Sequence, residues 1–150
     1  MVVQEKIETP IDHLNAVFEA QRAAYAQTPV PSATARLNRL SRLKAALEKS
    51  AAIHSEFGNR ADHETRLADV APSYATIGHA KRHLLVWMGP RRVPTDIVFW
   101  PGKSRVVPQP LGIVGIIAPW NYPLFLIIGP LVAAISAGNR AIIKPSEYTP

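Results

Sequence analysis

The sequence predicts an α/β protein in which several helices come first, then a β-hairpin, then a single β-α-β unit. Three observations carry this. Leucines recur at helical spacing in the first third. β-Branched and aromatic residues cluster after Pro90. Two short apolar runs, Gly112 to Ala118 and Ala141 to Ile143, then bracket one long apolar segment.

With 150 residues, 47% hydrophobic and 19% charged, the chain is long enough for one domain with a real core. Its first ten residues, MVVQEKIETP, contain no apolar h-region, so no secretory signal is expected and a cytoplasmic location follows. There is no cysteine, which excludes disulfides, thiolate metal ligands and a cysteine nucleophile within these residues. The net charge of +6 would suit nucleic acid or an anionic membrane. However, Arg36, Arg39, Arg42, Lys44 and Lys49 flank Leu37, Leu40, Leu43 and Leu47 as a solvated helix face does. No aromatic residues interleave with them to stack bases, so no nucleic-acid partner is expected.

Thr9-Pro10-Ile11-Asp12 is a helix start, with Thr9 as cap, Pro10 in the first position and Asp12 in the first turn. That helix runs through Leu14, Val17, Phe18, Ala24 and Tyr25 until Pro29. Ser32 caps a second helix with a buried stripe of Leu37, Leu40, Leu43 and Leu47. A restart near Ser50 carries Ile53 and Phe57 and stops at Gly58. Asp62 caps another helix, from His63 to about Val70, and Pro72 enters the next segment. There Val70, Tyr74, Ile77, Lys81, Leu84 and Met88 keep helical spacing up to Gly89-Pro90. These first ninety residues read as helical scaffold without a catalytic cluster.

The histidines are expected at the surface. His79 and His83 stand one turn apart, a zinc-ligand spacing, but no third ligand is nearby and Lys81 and Arg82 crowd them, so no metal site is expected. Thr95 to Trp100 and Ser104 to Gln109 then read as two strands joined by Pro101-Gly102-Lys103. Pro108 marks the second as an edge strand or a strand end.

Gly112 to Ala118 reads as a strand buried on both faces, and Pro119 ends it. Trp120-Asn121-Tyr122 follows at its carboxyl end, where open α/β sheets bind ligands. Pro123 opens a helix to about Ala137, which Pro130 should kink or split and Gly138-Asn139 should end. Ala141 to Ile143 is the second buried strand, parallel to the first, with Lys144-Pro145-Ser146-Glu147 at its carboxyl end. No charge occurs from Val106 to Asn139, but five prolines and four glycines leave no unbroken helix long enough to span a bilayer. The GxGxxG phosphate fingerprint is absent.

The run PLGIVGIIAPWNYP, the spacing to Ala137-Gly138-Asn139 and the KPSE that follows resemble the aldehyde dehydrogenase family. EFGNR and the helix ending in WMGP look most like the branch related to coniferyl aldehyde dehydrogenase. The resemblance implies a Rossmann-type cofactor domain, incomplete here. Residues 1–90 would be its helical scaffold, 91–110 an oligomerisation-type hairpin and 111–150 its first β-α-β unit. It implies oxidation of an aldehyde, aromatic or long-chain, to the acid, with NAD as cofactor and NADP left open, in a full-length homodimer. Asn121 would stabilise the oxyanion, Lys144 and Glu147 would grip the adenine ribose, and Ile117, Ala118, Pro119, Trp120 and Ser146 would line the cofactor. The family's cysteine nucleophile and activating glutamate belong downstream, so the chain is expected to be an inactive N-terminal fragment.

Each assignment has a plainer alternative. Asn121 before Pro123 also suits a turn or a helix cap, and Lys144 with Glu147 suits an exposed ion pair. The whole chain also suits a non-catalytic interaction module or, less well, a small membrane protein.

Overall fold

A computed structural model describes residues 10–50 and 65–148. Thr9 as a cap, the segment around Ile53 and Phe57, and the Asp62 cap lie outside the described residues. Helix α1 spans Pro10–Gln27 and α2 spans Ala33–Ser50. A π-helical turn, Arg66–Val70, runs directly into α3, Ala71–Met88. Strands β1 (Arg91–Val93) and β2 (Ser104–Val106) pair antiparallel. Strands β3 (Ile113–Ile117) and β4 (Arg140–Lys144) pair parallel around α4, Pro123–Ala137.

The core forms where the helical stripes meet. Leu40 and Leu47 of α2, Ile77 and Ala80 of α3, and Ile128 and Val132 of α4 make one buried cluster. Each fully buried aliphatic side chain here contributes about 1.5–3 kcal/mol. Ser32 caps α2 as expected, its Oγ accepting from Ala35 N at 3.2 Å. By contrast, α1 buries no side chain among the described residues, and Leu14 and Phe18 stay exposed.

The π turn has a local cause. Pro72 has no N–H to give and its ring would strike the carbonyl four residues back. The backbone widens just ahead of it, so that Ala71 N bonds Arg66 O, five residues back. Ser73 Oγ then donates to Asp69 O at 2.6 Å.

The hairpin departs from expectation. Its first strand is Arg91–Val93, and Ile97–Phe99 is a 3₁₀ turn rather than part of a strand. Asp96 causes this by accepting from Val98 N at 3.1 Å, and Thr95 Oγ1 takes Ser104 N at 2.8 Å, so the run spends its polar groups on a loop. Pro94, without a donor, ends β1. Ile97 and Trp100 are left 85% and 77% exposed.

Helix α4 ends where Gly138 was expected to stop it, and it runs unsplit across Pro130. The two central strands are not buried on both faces. Strand alternation puts Ile113, Gly115 and Ile117 on one face with their register partners Arg140, Ile142 and Lys144. Helix α1 is bonded to that face near the strand starts, where Arg140 donates to Gln21 Oε1 and Ala24 O, both at 3.1 Å, and towards the strand ends it stands off across an open groove. Ile117, at the other end, is 81% exposed. No helix among the described residues is long and apolar enough to cross a membrane.

Candidate functional site

Parallel pairing brings the carboxyl ends of β3 and β4 together. Ile117 is in register with Lys144, and the ladder continues one step further as Ala118 N donates to Lys144 O at 3.1 Å. Ala118 is buried, whereas Pro119, Trp120 and Asn121 are exposed beyond it. On the neighbouring strand end, Lys144 Nζ meets Glu147 Oε2 at 2.5 Å, with both side chains well exposed. Lys144's hydrogen bond, then Glu147's own backbone, then Lys144's charge hold the Glu147 carboxyl below its ordinary value. Ser146 points elsewhere. It is buried, and its Oγ accepts from Tyr148 N at 3.2 Å, which shapes the turn.

An open groove of about 540 Å³ runs beside these groups, lined by Ile117, Ile142, Gly115 and Lys144 with Leu14 and Phe18 of α1. A Cβ built on Gly115 would meet nothing within 4 Å, so the floor of the groove is clear there. An apolar floor with an ammonium and a carboxylate at one end suits a flat ring attached to a diol. The ammonium donates to one hydroxyl and the carboxylate accepts from the other. The residues present therefore fit an adenosine-type group.

Asn139, at the start of β4, acts structurally. Its Oδ1 accepts from Leu111 N at 2.7 Å and Gly112 N at 3.0 Å, tying the entry of β3 to the exit of α4. Gly138, at φ 91°, makes the reversal, with Asn139 N bonding Ala134 O and Gly138 N bonding Ile135 O. Arg36 closes the joint. It is buried, its Nη1 donates to Ser136 O and its Nε to Pro31 O, both at 2.9 Å. Burial, then neighbouring Arg39, lowers its pKa, and the α4 carbonyls at the negative helix end offset the charge.

The aldehyde dehydrogenase family pattern matches residues 4–150. The chain belongs to the aldehyde dehydrogenase family. Among its relatives, the probable coniferyl aldehyde dehydrogenase of Pseudomonas aeruginosa is 45% identical over 97% of this chain and 32% of its own length. The coniferyl aldehyde dehydrogenase of a Pseudomonas strain is 37% identical over 93% of this chain and 30% of its own. Among solved structures, the substrate-bound state of Staphylococcus aureus AldH superposes with a TM-score of 0.83. It is 30% identical and covers 89% of this chain and 30% of that one. PnpE in complex with nicotinamide adenine dinucleotide gives 0.75 at 26% identity, over 91% of this chain and 28% of that one. This chain thus spans about a third of the length of the curated relatives it matches.

Sequence reasoning did not assign a role to Arg36 or Asp69. Arg36 was legible only as one of a row of basic residues, although it begins that row directly after the helix cap. Asp69 offered only its place two residues before a helix-entering Ala-Pro.

Proposed function

We propose that this chain supplies the oxyanion donor and one end of the cofactor site of an NAD(P)-dependent aldehyde dehydrogenase. The observation that carries the reading is the juxtaposition at the strand ends. Ile117 and Ala118 are paired with Lys144, so the Trp120-Asn121 turn and the Lys144–Glu147 pair leave the same edge of one two-stranded sheet.

In this reading, Lys144 and Glu147 hold the adenine ribose hydroxyls, Ile117, Ala118, Pro119 and Trp120 form the adjoining wall, and buried Ser146 shapes the turn that presents Glu147. Bound cofactor would supply the hydride acceptor. Glu147 repels a 2′-phosphate, which favours NAD over NADP, in line with the NAD bound to PnpE. The Asn121 side-chain amide donates to the aldehyde oxygen as a nucleophile adds to its carbon and charge builds there. A fixed neutral donor is effective because it needs no reorganisation as the charge develops.

The substrate class is an aromatic aldehyde of the coniferyl type, supported by the names of the two Pseudomonas relatives, and the location is cytoplasmic. Residues 1–90 act as scaffold, 91–110 as an arm joining two subunits, and 111–150 as the first unit of the cofactor domain. The exposed Ile97, Val98, Phe99 and Trp100 support the arm's role.

The 150 residues contain no cysteine, so purified alone they should reduce no NAD with coniferyl aldehyde. Fused to the remaining two thirds of the 45% identical Pseudomonas aeruginosa relative, they should restore NADH production. A well-folded fusion that binds NAD but does not turn over would count against the reading.

A further inference from the structure

The turn that carries Asn121 leads directly into helix α4. Helix α4 starts at Pro123, its N-cap Tyr122 makes no side-chain capping bond, and no acidic residue lies in its first turn. First-turn N–H groups of a helix have no intrahelical partner, and a side chain next to the N-cap usually satisfies one. Here the acceptor comes from a distant element. Asp69 Oδ1 takes the N–H of Phe125, the third residue of α4, at 3.1 Å from 56 positions away in the chain.

Asp69 is only 2% exposed, and burying a carboxylate is costly unless donors or positive potential offset it. The positive end of α4 provides that potential, and Phe125 N the donor. The π turn Arg66–Val70, which widens the helix ahead of Pro72, is the segment that contains Asp69, and Asp69 and Val70 are its buried residues. The widened backbone is anchored in turn by Ser73 Oγ on Asp69 O.

We infer that Asp69 is a positioning residue for Asn121. By fixing where the first turn of α4 begins, it sets where the Trp120-Asn121-Tyr122 turn leaves β3 and hence where the Asn121 amide points. The π turn is the device that brings it there, and Asp69 itself touches neither substrate nor cofactor. The inference rests on the proposed role of Asn121 for its catalytic meaning, but the coupling can be measured without it.

The test uses the isotope-labelled 150-residue chain and reads two signals: exchange of the Phe125 amide and the chemical shifts of the Asn121 side-chain NH₂. In Asp69→Ala the Phe125 amide should exchange at least tenfold faster and the Asn121 signals should move. In Asp69→Asn, which keeps an Oδ1 acceptor without the charge, exchange should rise only a few-fold, and the Asn121 signals should return most of the way to wild type. If Asp69→Ala does not fold, Asp69→Asn decides by the same criterion. The Asn121 shifts must move in step with the loss of Phe125 protection. Faster Phe125 exchange with unmoved Asn121 signals overturns the inference, as does unchanged Phe125 protection. Should Asn121→Ala leave turnover of the fused enzyme intact, the catalytic reading fails while this coupling stands.

Discussion

Replacing Gly138 by alanine tests how firmly the joint between α4 and β4 is built. The glycine sits at φ 91°, and an added Cβ would lie 2.7 Å from Arg36 Cζ and 2.9 Å from Pro110 Cγ. The left-handed backbone alone costs a non-glycine residue about 1–2 kcal/mol. Moving the guanidinium endangers its bonds to Pro31 O and Ser136 O, each worth about 1.5–3 kcal/mol for a charged donor. With partial relaxation, the expected loss is about 3–5 kcal/mol, a large part of the about 5–15 kcal/mol that holds a domain together. Urea unfolding followed by circular dichroism would measure it, and Gly115→Ala is the internal control. Gly115 lies in a strand, and its added Cβ meets open space, so its midpoint should hold or rise slightly. If Gly138→Ala unfolded within about 1 kcal/mol of wild type, the strain and the Arg36 clamp would both be refuted.

Two further outcomes follow from exposed groups. The Glu147 carboxyl should titrate below its ordinary value by carbon-detected NMR, and Lys144→Met should raise it. Because the folded value is depressed, the pair contributes above the ordinary carboxylate range and is lost as pH falls through the lowered value. Identical titration of Glu147 in both proteins would show that the pair does not form in solution. At the hairpin tip, the 3₁₀ turn leaves Ile97, Val98, Phe99 and Trp100 in solvent. Ile97→Ser with Trp100→Ser should therefore reduce concentration-dependent association in sedimentation. Unchanged association would exclude this patch as the contact.

Much of the scaffold could be read directly from residue spacing. Leu40, Leu47, Ile77 and Leu84 fall on stripes of period 3.6 and are all buried, because helix geometry alone decides which side chains share a face. Pro123 and Gly138 bound α4 for local reasons: the first suits a helix start, the second an αL cap. The hairpin was harder, since TDIVFW has strand composition while Asp96 and Thr95 spend their oxygens on a loop. The strands were expected to be buried on both faces because a continuous apolar run does not say how closely a covering helix packs, and α1 is bonded near their beginnings but leaves an open groove over their ends. Asp69 was invisible because its partner lies 56 positions away and a lone aspartate in a helical segment has no spacing signature. Asn139 could be recognised as part of a family motif, but its work, two bonds to Leu111 and Gly112, is visible only in three dimensions. At the site itself, the positions of Asn121, Lys144 and Glu147 at two strand ends were legible. The hydrogen bond between Ala118 and Lys144 that brings those ends together was not.

The central claim is that Asn121 meets charge that exists only during the reaction. The direct measurement is turnover and NAD affinity of the fused enzyme with and without Asn121→Ala. Loss of one oxyanion donor should lower kcat by about 10²–10³-fold, while the NAD Kd stays within a factor of about two. Equal loss of turnover and NAD affinity, or a kcat that does not change, would contradict the account.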